Sequence, residues 1–167
     1  MQHFLLTRFN LLLWRNDKRG ERVRTAAWLE HRFLLFEKYC LPSIKGPTDQ
    51  NFEWIVLFDC RTPERYKERI DRYKDECPQF EPVYVEPERG CFFAEIFREG
   101  IVKRLKSERV ISTYLDNDDA LNVRFVTDLK QRALAAKDGT FFYYDKGVQY
   151  YDEERFALQI NYPPIIL

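Results

Sequence analysis

Residues 52–60, FEWIVLFDC, impose the strongest constraint in the chain. Side chains alternate between the two faces of a β-strand, so an unbroken apolar run from Trp54 to Phe58 offers neither face to water. Such a strand belongs in the middle of a sheet that is covered on both sides, and helices are the usual cover. The run is far too short for a membrane span, which needs roughly 20 apolar residues.

The flanking segments supply those helices. In TAAWLEHRFLLFEKYCLPSI, Leu29, Phe33, Phe36 and Cys40 recur on one helical face, and Pro42 is expected to end the helix. TPERYKERIDRYKDECP opens with Thr62 as the expected N-cap and Pro63 at the first helical position, with Tyr66, Ile70, Tyr73 and Cys77 as its buried stripe. FFAEIFREGIVKRLKSE places Phe93, Phe97, Ile101 and Leu105 on one side, and VRFVTDLKQRALAAKDG reads as a last helix stopped by Gly139. HFLLTRFNLLLW reads as a first strand that ends at its polar break, and EPVYVEP and RVISTYL are two further strands. Strand alternates with helix four times, which predicts a three-layer α/β/α sandwich with a mainly parallel sheet, residues 1–167 forming one domain.

Beyond Gly139 the pattern changes. GTFFYYDKGVQYYDEE carries two aromatic, β-prone segments around Asp145, Lys146 and Gly147, read as a hairpin or an edge pair. NYPPIIL is an apolar ending, expected either of a longer chain cut short or of a tail that docks on something, including a second copy in a homo-oligomer.

Charge and cysteines exclude several classes. Lys plus Arg and Asp plus Glu both number 27, so no global basic field exists to draw in nucleic acid. Cys40, Cys60, Cys77 and Cys91 form no CxxC pair and have no nearby His, which argues against a zinc site or a disulfide scaffold. Reduced, mostly buried thiols suit the cytoplasm. Arg8 and Asn10 interrupt the apolar start, and no small-residue cleavage site follows it, so no signal peptide is read there.

YLDNDDAL is the chemically suggestive segment, with Asp116, Asp118 and Asp119 directly after the fourth strand. In open parallel sheets the ligand crevice lies beyond the carboxyl ends of the strands. Clustered carboxylates repel one another unless a cation neutralises them, and oxygen ligands suit Mg²⁺ or Mn²⁺ together with substrate phosphates. The alternative is helix-entry charge, favoured by the helix dipole. An EF-hand is excluded because Leu121 stands where its glycine would be. Neither GxGxxG nor the Walker loop occurs, which argues against a dehydrogenase or a P-loop hydrolase.

YLDNDDAL, taken with FEWIVLFDCRTPE, resembles the nucleotide-sugar glycosyltransferases of the A-type fold, and with LLTRFNL and WLEHRFLLFEKYCLPSI it is most similar to the bacterial rhamnosyltransferase group. The resemblance implies a nucleoside diphosphate sugar donor, a Mn²⁺ or Mg²⁺ cofactor, and a polysaccharide, glycan or lipid-linked acceptor, the last drawing a cytoplasmic enzyme to the inner membrane face. It places Thr7, Arg8 and Asn10 at a nucleotide-binding elbow and Asp59 facing the base, although Asp59 reads equally as charge for the following helix. Asp118 would touch the metal, Asp116 the ribose or the metal, and Asp119 would be an alternative ligand or a helix cap. Arg89 or Arg98, in ERGCFFAEIFREG, would contact the diphosphate, or both are simply solvated. The inverting members use a carboxylate base from a later region, so the acceptor-binding part is expected to be incomplete or missing. No base is assigned here, Asp152, Glu153 and Glu154 reading as a surface charge run. Two other readings stay open: a non-catalytic nucleotide-binding or partner-binding module, and a sugar-phosphate nucleotidyltransferase, disfavoured by the bulky NLLLWRNDKRG.

Overall fold

The computed structural model describes residues 1–13, 20, 25–151 and 154–159. The polar segment after the first strand, the run Asp152–Glu153 and the apolar NYPPIIL tail lie outside them, wholly or for the most part. Strands β1 (Gln2–Arg8), β2 (Glu53–Asp59), β3 (Phe80–Val85) and β4 (Val110–Tyr114) form one parallel sheet in the order β3-β2-β1-β4. As expected of FEWIVLFDC, β2 is an inner strand, with Trp54 to Phe58 fully buried. Pro82 lies in β3, an outer strand, where a missing N–H is tolerated.

Alternation along the strands divides the core. Leu5, Trp54, Val56 and Phe58 pack with Phe33 and Phe36, and with Tyr66, Ile70 and Tyr73 of α3 (Glu64–Glu76). Phe4, Ile55 and Leu57 pack with Ile96 and Phe97 of α4 (Phe93–Arg104). Helices therefore cover both faces of the sheet, giving the three-layer α/β arrangement expected. The first face is rich in aromatic rings: Phe9 lies 4.5 Å from Phe33 and 4.8 Å from Phe58, and Phe36 stacks on Trp54 at 5.4 Å.

Four local expectations are corrected. Pro42 does not end its helix: α1 (Ala26–Leu35) continues as a π-helical turn, Phe36–Cys40, into α2 (Leu41–Lys45), where Pro42 sits in the first turn. Leu41 N–H bonds back to Phe36 C=O, and that widened turn lets the chain carry a ring that would clash in a regular helix interior. Thr62 does not cap α3, because its hydroxyl bonds Asp59 C=O at 2.6 Å, and Pro63 occupies the cap position instead. Leu105 is half exposed, since α4 ends at Arg104 and turns it out of the stripe. The hairpin lies later than expected: β5 (Lys146–Tyr151) pairs antiparallel with β6 (Glu154–Gln159), so Lys146 and Gly147 are in a strand and not in the turn.

The last helix, α5 (Phe125–Leu134), stops short of Gly139, whose positive φ of 75° suits a glycine in the turn that follows. No helix among the described residues is long and apolar enough to cross a membrane.

Candidate functional site

The strand order has a consequence for where a ligand can sit. From β1 the chain moves outward to β2 and β3, then returns to place β4 on the other side of β1. The connections on the two sides of that point lie on opposite faces, and in open parallel sheets the ligand crevice lies at such a point, here at the carboxyl ends of β1 and β4. Arg8 to Asn10 and Leu115 to Asp119 stand at that end of the sheet, with Phe9 and Leu115 turned into the core.

Three loops are fastened together there. Asn117, 6% exposed, donates its amide to Phe9 C=O at 2.9 Å, and Leu115 N–H donates to Leu6 C=O at 3.0 Å. Leu121 N–H donates to Ser43 Oγ at 3.1 Å, and Ser43 Oγ donates to Cys40 C=O at 2.7 Å, so the π-turn and α2 brace the aspartate loop from the side. Burial pushes the Cys40 thiol well above its ordinary range, with Asp119, Asp118 and Asp116 adding to the effect, which makes it a packing group and not a nucleophile.

Arg8 reaches the aspartates through Tyr114. Its guanidinium lies 4.4 Å from the Phe93 ring and 5.1 Å from the Tyr114 ring, and its Nε donates to Tyr114 Oη at 2.5 Å. The Tyr114 hydroxyl in turn donates to Asp116 Oδ1 at 2.9 Å. Burial, reinforced by Asp116, pushes the phenol up to about 12, so it remains a donor at neutral pH. Asp118 is held by Arg32 of α1, whose Nη1 lies 2.5 Å from Asp118 Oδ2 and 3.4 Å from Asn117 Oδ1. Burial, then the charges of Asp116 and Asp118, hold the Asp119 carboxyl above its usual range. The helix-entry alternative does not describe these residues: Asp119 N–H closes a turn onto Asp116 C=O at 3.2 Å, and α5 begins only at Phe125 with Arg124 at its cap.

A cleft of about 300 Å³ opens between the starts of α1 and α3, with Asn10 of the loop after β1 in its wall. Asn10, Trp28, Asp59, Arg61, Arg65 and Tyr66 are among its walls. Asp59 is 4% exposed, and its backbone N–H donates to Asn10 Oδ1 at 3.0 Å. Asn10 Nδ2 donates to Thr62 Oγ1 at 3.0 Å, and Thr62 returns to Asp59 C=O, closing a ring of three residues. The Asp59 carboxylate accepts the Arg61 N–H at 2.9 Å and its guanidinium through both oxygens at 3.1 Å. Its charge thus serves the turn that precedes α3.

A model of the family described as "Putative rhamnosyl transferase" matches residues 2–157. The chain belongs to this rhamnosyl transferase family. No curated protein matches it. The rhamnosyl transferase match spans the whole parallel sheet, the aspartate loop and the Asn10–Asp59 cleft.

Within that family frame, the structure places Arg8, Asp116, Asp118 and Asp119 at the carboxyl ends of β1 and β4, with Asn10 and Asp59 in the cleft between the starts of α1 and α3. Thr7 lies beneath the elbow, fully buried, its hydroxyl accepting the Trp54 indole N–H at 2.9 Å. Arg89 pairs with Glu99 at 2.9 Å and lines another cavity with Lys103 and Arg104, along β3 and α4. Arg98 is exposed on α4. The turn preceding α4 still matters to the crevice: Gly90 lies against the Leu12 backbone, where an added Cβ would stand 3.4 Å from it, and Phe93 lies beneath Arg8.

Among the described residues no three His, Cys, Asp or Glu side chains converge into a preformed metal cage. A hard divalent cation that keeps substrate phosphates as ligands needs only one or two protein carboxylates. Asp116 and Asp118, both exposed and both offering carboxylate oxygens, meet that requirement. Sequence reasoning missed Arg32 and Tyr114, and it counted the Asn117 amide with the aspartate cluster without its anchoring bond to Phe9 C=O. Trp28 and Arg32, one helical turn apart beside the apolar stripe, were the one local signal for Arg32.

Proposed function

We propose that this chain transfers a sugar, rhamnose by the family's description, from a nucleoside diphosphate donor to an acceptor hydroxyl on a polysaccharide, glycan or lipid-linked carrier, working in the cytoplasm. The observation that carries this reading is the aspartate loop at the β1/β4 crevice, held by contacts from three separate segments and opening beside a cleft large enough for a nucleobase. The base would enter the Asn10 cleft, where the Asp59–Arg61 pair offers a fixed polar edge and Trp28 an apolar wall.

The diphosphate would extend from there toward the aspartates. Asp118 and Asp116 would hold Mn²⁺ or Mg²⁺, with Asp119 beside them. When bound, the cation neutralises charge that builds up on the departing diphosphate. Arg8 and Tyr114 orient Asp116, Asn117 anchors the loop to β1, and Arg8 adds positive charge at the crevice. Direct attack by the acceptor hydroxyl from the opposite side would invert the anomeric centre.

Thermal unfolding with UDP, dTDP, GDP and CMP, each with and without Mn²⁺, tests the reading. One nucleotide is expected to stabilise the protein only when metal is present, by about 2.7 kcal/mol at a hundred times its Kd. Asp118→Ala is expected to abolish that shift while leaving unfolding without ligand within about 0.5 kcal/mol, because the side chain is exposed. No shift with any nucleotide, or an unchanged shift in Asp118→Ala, overturns it.

A further inference from the structure

We infer that Arg32 is a binding residue for the donor's diphosphate, and that in the absence of donor it occupies the cation's place on Asp118. The inference rests on the donor-site reading above and adds a residue and an order of events to it.

Arg32 stands between Trp28, a wall of the Asn10 cleft, and the aspartate loop. Its guanidinium lies 5.7 Å from the Trp28 ring, which walls the nucleotide cleft, while its Nη1 bonds Asp118 in the aspartate loop. A diphosphate running from that cleft to the aspartate loop passes this guanidinium. Arginine's fork suits phosphate oxygens as well as carboxylate oxygens, so the same group can serve either partner.

The pair is also accessible. The Arg32 side chain is 29% exposed and that of Asp118 is 40% exposed, so exchange of partners uncovers no core. Another ion pair at this end of the sheet is built differently: Asp59 is buried, and Arg61 binds it from only two residues away. Arg32 and Asp118 lie 86 residues apart in sequence and meet through one oxygen, an arrangement that a competing anion and cation can part.

The exchange follows from charge. With no donor bound, the guanidinium neutralises Asp118 and competes with a divalent cation for its oxygen. An arriving diphosphate offers Arg32 a second anionic partner, and Asp118 is released to the cation that the diphosphate brings with it. Metal and diphosphate then bind with positive coupling, each favouring the state that accepts the other.

Mn²⁺ binding is measured from the electron paramagnetic resonance of the free ion, alone and with inorganic pyrophosphate, in the wild type, Arg32→Gln, Arg32→Lys and the double variant Arg32→Gln/Asp118→Asn. Arg32→Gln is expected to bind Mn²⁺ alone at least about fivefold more tightly than the wild type, and pyrophosphate with Mn²⁺ at least about fivefold more weakly, the lower end of usual coupling strengths. Arg32→Lys falls between them. The double variant loses the gain in Mn²⁺ affinity, an outcome that a merely structural Arg32 does not produce. If the wild type binds Mn²⁺ with pyrophosphate but Arg32→Gln leaves both affinities unchanged, the inference fails and the donor site stands. If neither protein binds Mn²⁺ under any of these conditions, both fail together.

Discussion

The two ends of β1 treat polar side chains in opposite ways. At the amino end His3 is fully buried, with Nε2 2.9 Å from Thr113 Oγ1 and no hydrogen-bond partner for Nδ1 among the described residues. At the carboxyl end Arg8 lies between two aromatic rings and passes a hydrogen bond through Tyr114 to an exposed carboxylate. The first arrangement is closed to ligand and holds one protonation state. The second leaves its charges at the surface, with partners that can be exchanged. A polar group that the fold could have done without, kept where a ligand can reach it, is the better candidate for function.

The largest effect expected from this contrast is on stability, at the closed end. Burial, with Lys130 adding to it, lowers His3 to about 4. Because that lies below its unfolded value of about 6.5, the unfolded chain binds the extra proton first as pH falls. The His3 contribution is therefore intact above about pH 6.5, declines from there to about pH 4, and costs about 3 kcal/mol in all. Chemical denaturation across that range, in the wild type and in His3→Gln, measures it. The variant is expected to lose this part of the slope, and an equal slope in both proteins would show that the amino end is not closed to protons.

Asp59 sharpens the contrast, since it lies at the ligand end of the sheet yet is held as His3 is, buried and committed. Removing it as Asp59→Ala deletes the acceptors of three Arg61 hydrogen bonds, but Arg61 itself is 58% exposed and returns to water. The expected loss is about 2 kcal/mol, the usual scale for hydrogen bonds to a charged group. If Asp59 also faces the base, the nucleotide shift in thermal unfolding falls beyond what the lost stability accounts for. A loss of stability with an undiminished shift would move Asp59 from the donor site to the scaffold.

Much of this architecture was legible because it depends on periodicity. The apolar run of β2, the stripe of Tyr66, Ile70 and Tyr73, and the strand-to-helix alternation follow directly from side-chain spacing. Pro42 misled because a π-turn is not a feature of composition: the chain absorbs the ring by widening one turn, and the reason for doing so is the loop that Cys40 and Ser43 brace. The hairpin was displaced because aromatic residues suit strands wherever they stand, and 141–144 proved to be exposed non-strand chain, with Tyr144 against Phe125. Within the site, the carboxylates announced themselves by local density. Their partners did not, since Arg8 meets Tyr114 across 106 residues and Arg32 meets Asp118 across 86, and such distances become contacts only once the order β3-β2-β1-β4 is known.

The smallest effect expected is at Tyr114, and it tests whether the open end of β1 acts as a connected unit. Tyr114→Phe keeps the ring beneath the Arg8 guanidinium and removes only the hydroxyl that joins Arg8 to Asp116. Both neighbours reach solvent, so stability is expected to change by no more than about 1 kcal/mol. Sugar transfer is expected to fall by less than about tenfold, the scale of one neutral hydrogen bond. The informative quantity is the coupling with Asp116→Asn. If the hydroxyl acts by orienting that carboxylate, the double variant loses less than the sum of the two single losses, because one route has been cut twice. Strict additivity would mean that Arg8 and Tyr114 do nothing for Asp116 beyond proximity, and the aspartate loop would then owe its placement to its other contacts, through Leu115, Asn117, Asp118 and Leu121.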